Sequence, residues 1–250
     1  MGKTFVLEVW GDFACFTRPE FKVERFSYPV MTPSAARGIM DAIYSKYNEF
    51  TWRIHKIEIL NPINYIALRR NEVKEKISVM NVKKYMDGSE EVSPIVVDAT
   101  EYFKEDGKKD GNKGRVQRQT MALKDVRYRI YASIKPWEEH EKRIAALESQ
   151  AERRIKNGKC FYQPYFGCRE FAAYFEECNE ELHKTKPIDM TVDLGLILYD
   201  VFDLEKLGDP NDEVNYKNNL NISLFHAFVK NGMLEVPDYE SNDVIKNSGK

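Results

Sequence analysis

The chain has 250 residues and 42% apolar content, enough to bury a substantial core as one large domain or two small ones. No run of 18 apolar residues occurs, which excludes a helical membrane span. The net charge of −2 is, in bulk, an argument against a nucleic-acid partner.

Lys3 to Trp10 alternates as a strand with Phe5, Leu7 and Val9 on one face, and Gly11-Asp12 is expected to end it. Thr32-Pro33 reads as N-cap and first helical position, with a helix running from Ser34 to Tyr44. Ile39, Met40 and Ile43 form its buried stripe. Gly38 costs this helix roughly 1 kcal/mol against Ala, which marks it as a point where another backbone approaches closely. Thr51 to Leu60 reads as a second strand with core residues Trp52, Ile54, Ile57 and Ile59. The change of face between Ile54 and Ile57 predicts a bulge. Ile63 to Leu68 is a further short strand.

Arg69 to Gln119 is the least regular part and includes the tract KEDGKKDGNKGR from Lys104 to Arg115, which reads as a mobile basic loop. Val126 to Ile134 is the cleanest strand, with Val126, Tyr128, Ile130, Ala132 and Ile134 on one side and Arg127, Arg129, Tyr131 and Ser133 on the other. Trp137 to Lys156 reads as one long charged helix with Ile144, Leu147, Ala151 and Ile155 in a stripe, stopped at Asn157-Gly158. Cys160 to Phe175 is aromatic-rich with a Gly turn. Met190 to Val201 reads as a strand, Asn219 to Lys230 as a helix, Met233 to Val236 as a last strand, and 237–250 as a flexible tail.

Strand, helix, strand, strand with insertion, helix, strand is the order of an α+β, ferredoxin-like fold of the RNA-recognition (RRM, RAMP) type, with an inserted arm and a small C-terminal β-rich part. The expected domains are 1–185 with a basic insertion at about 69–119, then 186–236, then the tail.

The charge is unevenly spread. Lys113 to Arg129 holds six basic residues and one acid, whereas Glu170 to Glu181 holds five acids and no Lys or Arg. That distribution suits RNA on one side and a protein neighbour on the other. Cys15, Cys160, Cys168 and Cys178 have no C-x-x-C spacing and read as reduced thiols of a cytoplasmic protein. The Gly-Lys tract lacks the G-x-x-x-x-G-K-[ST] order of a nucleotide loop, and His140-Glu141 lacks the second His of a zinc H-E-x-x-H.

The run Val9 to Tyr44, VWGDFACFTRPEFKVERFSYPVMTPSAARGIMDAIY, interleaves Arg18, Lys22, Arg25 and Arg37 with Phe13, Phe16, Phe21 and Phe26. Cations suit phosphates and aromatic faces suit unstacked bases, so this mixture fits RNA. The same run, with NPINYIALRRNEV (Asn61 to Val73) and GKCFYQPYFGCREF (Gly158 to Phe171), resembles the CRISPR-associated Cas five family of the type I-C system, subtype d.

The resemblance implies a subunit of the Cascade surveillance complex involved in antiviral defence. Such a subunit holds the repeat-derived 5′ handle of the CRISPR RNA and contacts the backbone (Cas seven) and large (Cas eight) subunits, with target DNA reached through the complex. It also implies a metal-independent endoribonuclease that needs no cofactor and processes precursor CRISPR RNA. In that reaction the RNA's 2′-hydroxyl attacks the adjacent phosphorus, leaving a 2′,3′-cyclic phosphate and a 5′-hydroxyl.

The same resemblance implies a catalytic Tyr at the end of the first helix, where Tyr44 stands, and a Lys-His pair before the second. Counted back about eleven residues from Gly158, the pair's positions hold Ala146 and Leu147, and the nearest substitutes are His140 and Lys142. Implied RNA contacts are Arg18, Lys22, Arg25, Arg37, Arg69, Arg70 and Arg169, with Phe13, Phe16 and Tyr28 stacking on bases. Two rival readings stand beside this one: a handle-binding cap of Cascade whose nuclease site has decayed, and a ferredoxin-like enzyme acting on a small metabolite.

Overall fold

The computed structural model describes residues 2–21, 23–92, 114–178, 184–206 and 220–246. Lys22, the short apolar run 95–97, His183 and most of the Gly-Lys tract lie outside the described residues. Within them the elements are β1 (Thr4–Ala14), β2 (Arg25–Phe26), α1 (Pro33–Ile43), β3 (Phe50–Ile59), β4 (Asn64–Val73), α2 (Val79–Met86) and β5 (Arg115–Pro136). A 3₁₀ segment (Glu138–Arg143) leads into α3 (Ile144–Lys156), followed by β6 (Tyr174–Glu177), β7 (Val192–Phe202), β8 (Leu220–Lys230), β9 (Met233–Glu235) and β10 (Val244–Lys246).

The strands join in one sheet in the order β10-β8-β9-β3-β5-β1-β6, with β7 on β8 and with β2 and β4 on β5. Antiparallel registers fix the middle of it, including β1 on β5 (Leu7 opposite Ile130) and β3 on β5 (Ile57 opposite Ile130). The protein is therefore α+β on a mostly antiparallel sheet.

Two compact units follow from the contacts: Met1–Ile66 with Met121–Lys250, and Ala67–Thr120. The larger holds the core. Leu7, Val9, Trp52, Ile57, Ile130 and Ala132 are buried on the sheet, beneath Ile39, Met40 and Ile43 of α1 and Leu147, Ala151 and Ile155 of α3. Thr32 caps α1 by accepting a hydrogen bond from the Ala35 N–H, with Pro33 in the first turn where its missing N–H costs nothing. In the smaller unit α2 is capped by Ser78 and buries none of its residues. Arg118 pairs there with Glu72 at 3.1 Å.

The opposite face of the sheet carries a charged ladder. Glu8 is fully buried and accepts from Arg127 at 2.6 Å and Arg129 at 3.1 Å. Arg129 also donates to Glu58 at 2.7 Å, which accepts from the Tyr131 hydroxyl at 2.9 Å. Glu8, Arg129 and Glu58 are direct cross-strand neighbours, so the pairing registers bring the opposite charges together.

Several expectations are corrected. β1 does not stop at Gly11-Asp12 but runs to Ala14. Gly11 stays in the strand because a Cβ there would lie 2.6 Å from the Ala172 carbonyl oxygen, so the glycine serves a close approach rather than a turn. Gly38 is the reverse case: nothing lies within 4 Å of its missing Cβ, and no backbone approaches. The bulge in β3 falls at Ile54/Lys56 as the pattern predicts. The irregular stretch from Arg69 contains the end of β4, α2 and the start of β5. The helix expected from Trp137 begins as 3₁₀ and becomes α-helical only at Ile144.

Residues 220–230 form a strand, not a helix, with Phe225, Ala227 and Val229 buried in alternation. Tyr174–Glu177 is a strand that the aromatic run concealed. The expected tail is anchored as far as Lys246, because Tyr239 is buried and β10 pairs with β8.

Candidate active site

Tyr44 is the C-cap of α1, and its N–H closes the last turn on the Met40 carbonyl. The neighbouring carbonyls are all claimed. Ile43 accepts from Arg154 Nε at 2.7 Å, Ala42 from the Phe161 N–H at 2.7 Å, and Tyr44 itself from Trp52 Nε1 at 2.7 Å. This pinning fixes the helix end. The Tyr44 ring packs against Phe50, centroids 5.3 Å apart, and the residue is 1% exposed. Its hydroxyl has no hydrogen-bond partner among the described residues. A buried orphan hydroxyl costs a protein stability and calls for a reason.

Charge surrounds that hydroxyl. Burial pushes the Tyr44 phenol above its ordinary range, helped by Glu49 and opposed by Lys46, Arg143 and Arg154. Burial thus favours the protonated phenol. Glu49 accepts from Lys46 at 2.9 Å and lies 2.8 Å from Arg143. Burial raises the Glu49 pKa, but the Lys46 hydrogen bond and the charges of Lys46, Arg143 and His140 outweigh it and hold the carboxyl below its usual range. Backbone bonds join the 3₁₀ segment to this corner: the Trp137 N–H reaches the Glu49 carbonyl at 3.0 Å, and Trp137 Nε1 the Tyr47 carbonyl at 2.7 Å.

His140 thus sits in the electrostatic reach of the Tyr44 corner, and Lys142 is an exposed residue of the same segment. Ala146 is exposed, and Leu147 is a core residue of α3. Lys46, Glu49, Arg143 and Arg154 belong to the corner but escaped the sequence reading. Lys46 follows Tyr44 by two residues, whereas the two arginines reach it only through the packing of α3 and its 3₁₀ lead-in.

The remaining candidates divide. Arg18 lies over the rings of Phe26 (5.5 Å) and Tyr28 (5.1 Å), and Phe26 meets Phe21 and Tyr65, both partly exposed. That cluster is an accessible cation–aromatic surface, and Tyr65 is its unpredicted member. Arg25 donates to Cys168 Sγ at 3.2 Å and lies 3.8 Å from Glu170, which ties the first sequence block to the third. Gly167 seals the same junction: its φ is +78°, and a Cβ would fall 2.1 Å from the Cys15 carbonyl oxygen. Arg169 is exposed, as is Arg69, whereas Arg70 lies near Glu72 and Thr120. Phe13 is half-buried against Phe171.

Three expectations change. Phe16 and Tyr28 are core residues, so neither offers a free ring face to a base. Arg37 is occupied: it grips Asp200 through Nε (2.7 Å) and Nη2 (3.0 Å) and also donates to Asp41. With one guanidinium shared between two carboxylates, burial and the Asp200 charge outweigh Arg37 and push Asp41 up to about 6 from 3.8.

In the folded state Asp41 therefore holds its proton to higher pH than in the unfolded chain. Its contribution to stability is full below about pH 4 and is lost as pH rises through about 6. Relative to Asp41→Asn, the native protein should gain about 1–2 kcal/mol on acidification from pH 7 to pH 4, read from denaturant midpoints at both pH values. Equal gains in both proteins would remove Asp41 as the source.

The fold and this corner define an α+β antiparallel-sheet protein with a buried tyrosine at a helix end, in the field of Lys46, Glu49, Arg143 and Arg154. The chain belongs to the CRISPR-associated Cas5 family, subtype d: the model Cas_Cas5d, described as CRISPR-associated protein (Cas_Cas5), matches residues 4–237. It is 36% identical to the CRISPR pre-crRNA endoribonuclease Cas5d of Mannheimia succiniciproducens over 98% of this chain and 99% of that one. It is likewise 36% identical to the protein of the same name from Thermus thermophilus, over 92% and 90%.

Among solved structures it is similar to a CRISPR-associated protein (TM-score 0.60, 21% identity, 98% and 97% covered). It is also similar to a functionally uncharacterized protein of Streptococcus mutans (TM-score 0.56, 21% identity, 98% and 97% covered). At that identity the structures speak for the fold.

Proposed function

We propose that this chain binds the repeat-derived 5′ handle of CRISPR RNA and cleaves precursor CRISPR RNA in the repeat, without a metal, by 2′-hydroxyl attack. The observation that carries the reading is the buried Tyr44 hydroxyl, without a hydrogen-bond partner among the described residues, under the electrostatic influence of Lys46, Arg143 and Arg154. The relatives named as pre-crRNA endoribonucleases, 36% identical over nearly their full length, support it.

In the reaction the 2′-oxygen bonds to phosphorus and the bond from phosphorus to the 5′-oxygen breaks. His140 takes the 2′ proton, the three cations balance charge on the phosphorane, and Tyr44 donates a proton to the departing 5′-oxygen. Lys142 meets the RNA backbone from the 3₁₀ segment. Arg18, Arg25, Arg69, Arg70 and Arg169, with Lys22 and Phe13, make up the handle-binding set, to which the Phe21–Phe26–Tyr65 surface is added.

The sheet supports a platform of the ferredoxin-like, RNA-recognition type. Taken as a double β-α-β unit, β1-α1-β3 and β5-α3-β6 lie side by side in the order β6-β1-β5-β3. On this reading residues 1–185 form the RNA-holding domain, 69–119 its basic arm, and 186–236 a β-rich addition. The partners are the Cas seven and Cas eight subunits of Cascade, in the cytoplasm. Among the described residues no helix is long and apolar enough to cross a membrane.

Purified protein incubated with its own repeat RNA in excess EDTA is expected to yield 2′,3′-cyclic phosphate and 5′-hydroxyl ends. Binding no better than to a scrambled RNA would overturn the reading. Ala146 and Leu147 at the expected Lys-His positions favour a second reading, a handle-binding cap, which repeat-specific binding with no products would support.

A further inference from the structure

A cleft of about 500 Å³ opens along the outer side of α1, lined among others by Gly38, Asp41, Tyr47, Trp137, Tyr162 and Tyr165. None of the site residues read from sequence accounts for it except Arg37, which also lines it and is held by Asp41 and Asp200. Its volume lies in the range of small-ligand sites.

Three features narrow the occupant. First, the wall is aromatic and accessible: Tyr47 is 50% and Tyr162 48% exposed, although both line the concavity. Second, its cations are matched. Arg37 is paired as above, and Lys206 lies 3.1 Å from Asp203, which lines the same cleft. Among the described residues Asp41 and Asp203 add negative charge to the lining while Arg37 is held between Asp41 and Asp200, which disfavours a phosphate and favours a flat uncharged group. The Asp41 carboxylate offers such a group an acceptor for an amino or ring N–H.

Third, the floor is Gly38. A helix-interior glycine weakens its helix and is normally repaid by close packing, yet nothing packs here. What the missing side chain provides is the open volume itself.

We infer that this cleft holds one unpaired nucleobase of the bound RNA, stacked on its tyrosines, at a nucleotide flanking the scissile bond. The inference rests on the RNA reading above. The placement near the bond follows from Phe50, which lines the cleft and packs its ring 5.3 Å from that of Tyr44. The base enters beside Gly38, and the phosphodiester stays outside at Lys46, Arg143 and Arg154.

The test places 2-aminopurine, one position at a time, through the unpaired part of the repeat RNA and follows its fluorescence on binding. With the native protein, one position should be strongly quenched by stacking. Gly38→Leu, which projects a side chain from α1 into the cleft where the base would stack, should abolish quenching at that position and weaken RNA binding roughly 10-fold or more, the loss of a stacked base. The melting temperature of Gly38→Leu should match or exceed that of the native protein, because Leu favours a helix interior more than Gly, so lost quenching cannot be put down to unfolding.

Tyr162→Ala gives a second variant that removes the wall instead of filling the space, and it should lose quenching at the same position. Bound RNA with no quenched position, or quenching unchanged in folded Gly38→Leu, overturns the base pocket and leaves the RNA reading intact. If the native protein binds no repeat RNA, the RNA reading falls and the pocket with it.

Discussion

Replacing Tyr44 by Phe is expected to slow repeat cleavage about 10²–10³-fold, the usual loss for one transition-state hydrogen-bond donor. RNA affinity should change little, because the hydroxyl is buried in the free protein and its proton is called on only as charge develops on the departing oxygen. Stability should stay level or rise by up to about 1 kcal/mol, since Phe removes a hydroxyl that the described residues leave unsatisfied. A faster-melting, equally inactive variant would point to a packing role instead. Single-turnover cleavage and thermal melting on one preparation separate these outcomes, and a rate within threefold of the native protein would dismiss Tyr44. Because burial raises the phenol's pKa, its protonation should impose no pH dependence on the rate between pH 6 and 8. An inflection there belongs to another group.

Arg37→Ala is expected to destabilise the protein by about 3–5 kcal/mol, the penalty for leaving a buried charge unpaired. The charge left behind is Asp200, whose side chain is 1% exposed and holds both Nε and Nη2 of Arg37. Asp200 also anchors the Val201 and Phe202 N–H groups, so it cannot swing out to solvent without undoing the end of β7. The bond thus ties α1 to a strand more than 160 residues away in sequence. Combining Arg37→Met with Asp200→Asn should recover part of the loss, because the Asp200 charge then disappears with that of Arg37 and only Asp41 is left without its arginine. Urea midpoints measure the effect. A midpoint unchanged in Arg37→Ala would free Arg37 from its structural role and return it to the RNA contacts that the sequence suggested.

Much of the larger unit was legible because its signals are local. Thr32-Pro33 starts α1, the alternation Val126 to Ile134 faces its core side correctly, and the broken alternation at Ile54 is a real bulge. The misreadings have equally physical causes. Gly11 looked like a strand break because nothing in sequence reveals that Ala172 presses on it. β8 looked helical because Leu220, Ile222 and Phe228 put apolar residues on its exposed face and blurred the two-residue period that Phe225, Ala227 and Val229 keep.

The site divides in the same way. Tyr44 could be named as a candidate because the resemblance points to the end of the first helix, which is legible in one contiguous run. Lys46, Glu49, Arg143 and Arg154 gather only when α1, the 3₁₀ segment and α3 pack, and Arg37 changes role only when β7 arrives with Asp200.

The pairing of β1 with β5 also sets a timetable for synthesis. Glu8 meets Arg129 across 121 positions of chain. At about 5–20 residues per second, the first strand leaves the ribosome and waits some 6–25 s before its partner exists. During that interval Phe5, Leu7 and Val9 lack the strand they pair with in the folded sheet. The nascent N-terminal segment therefore exposes its apolar strand face for that time, and slowing translation between Ala14 and Arg115 should lower the soluble yield in cells.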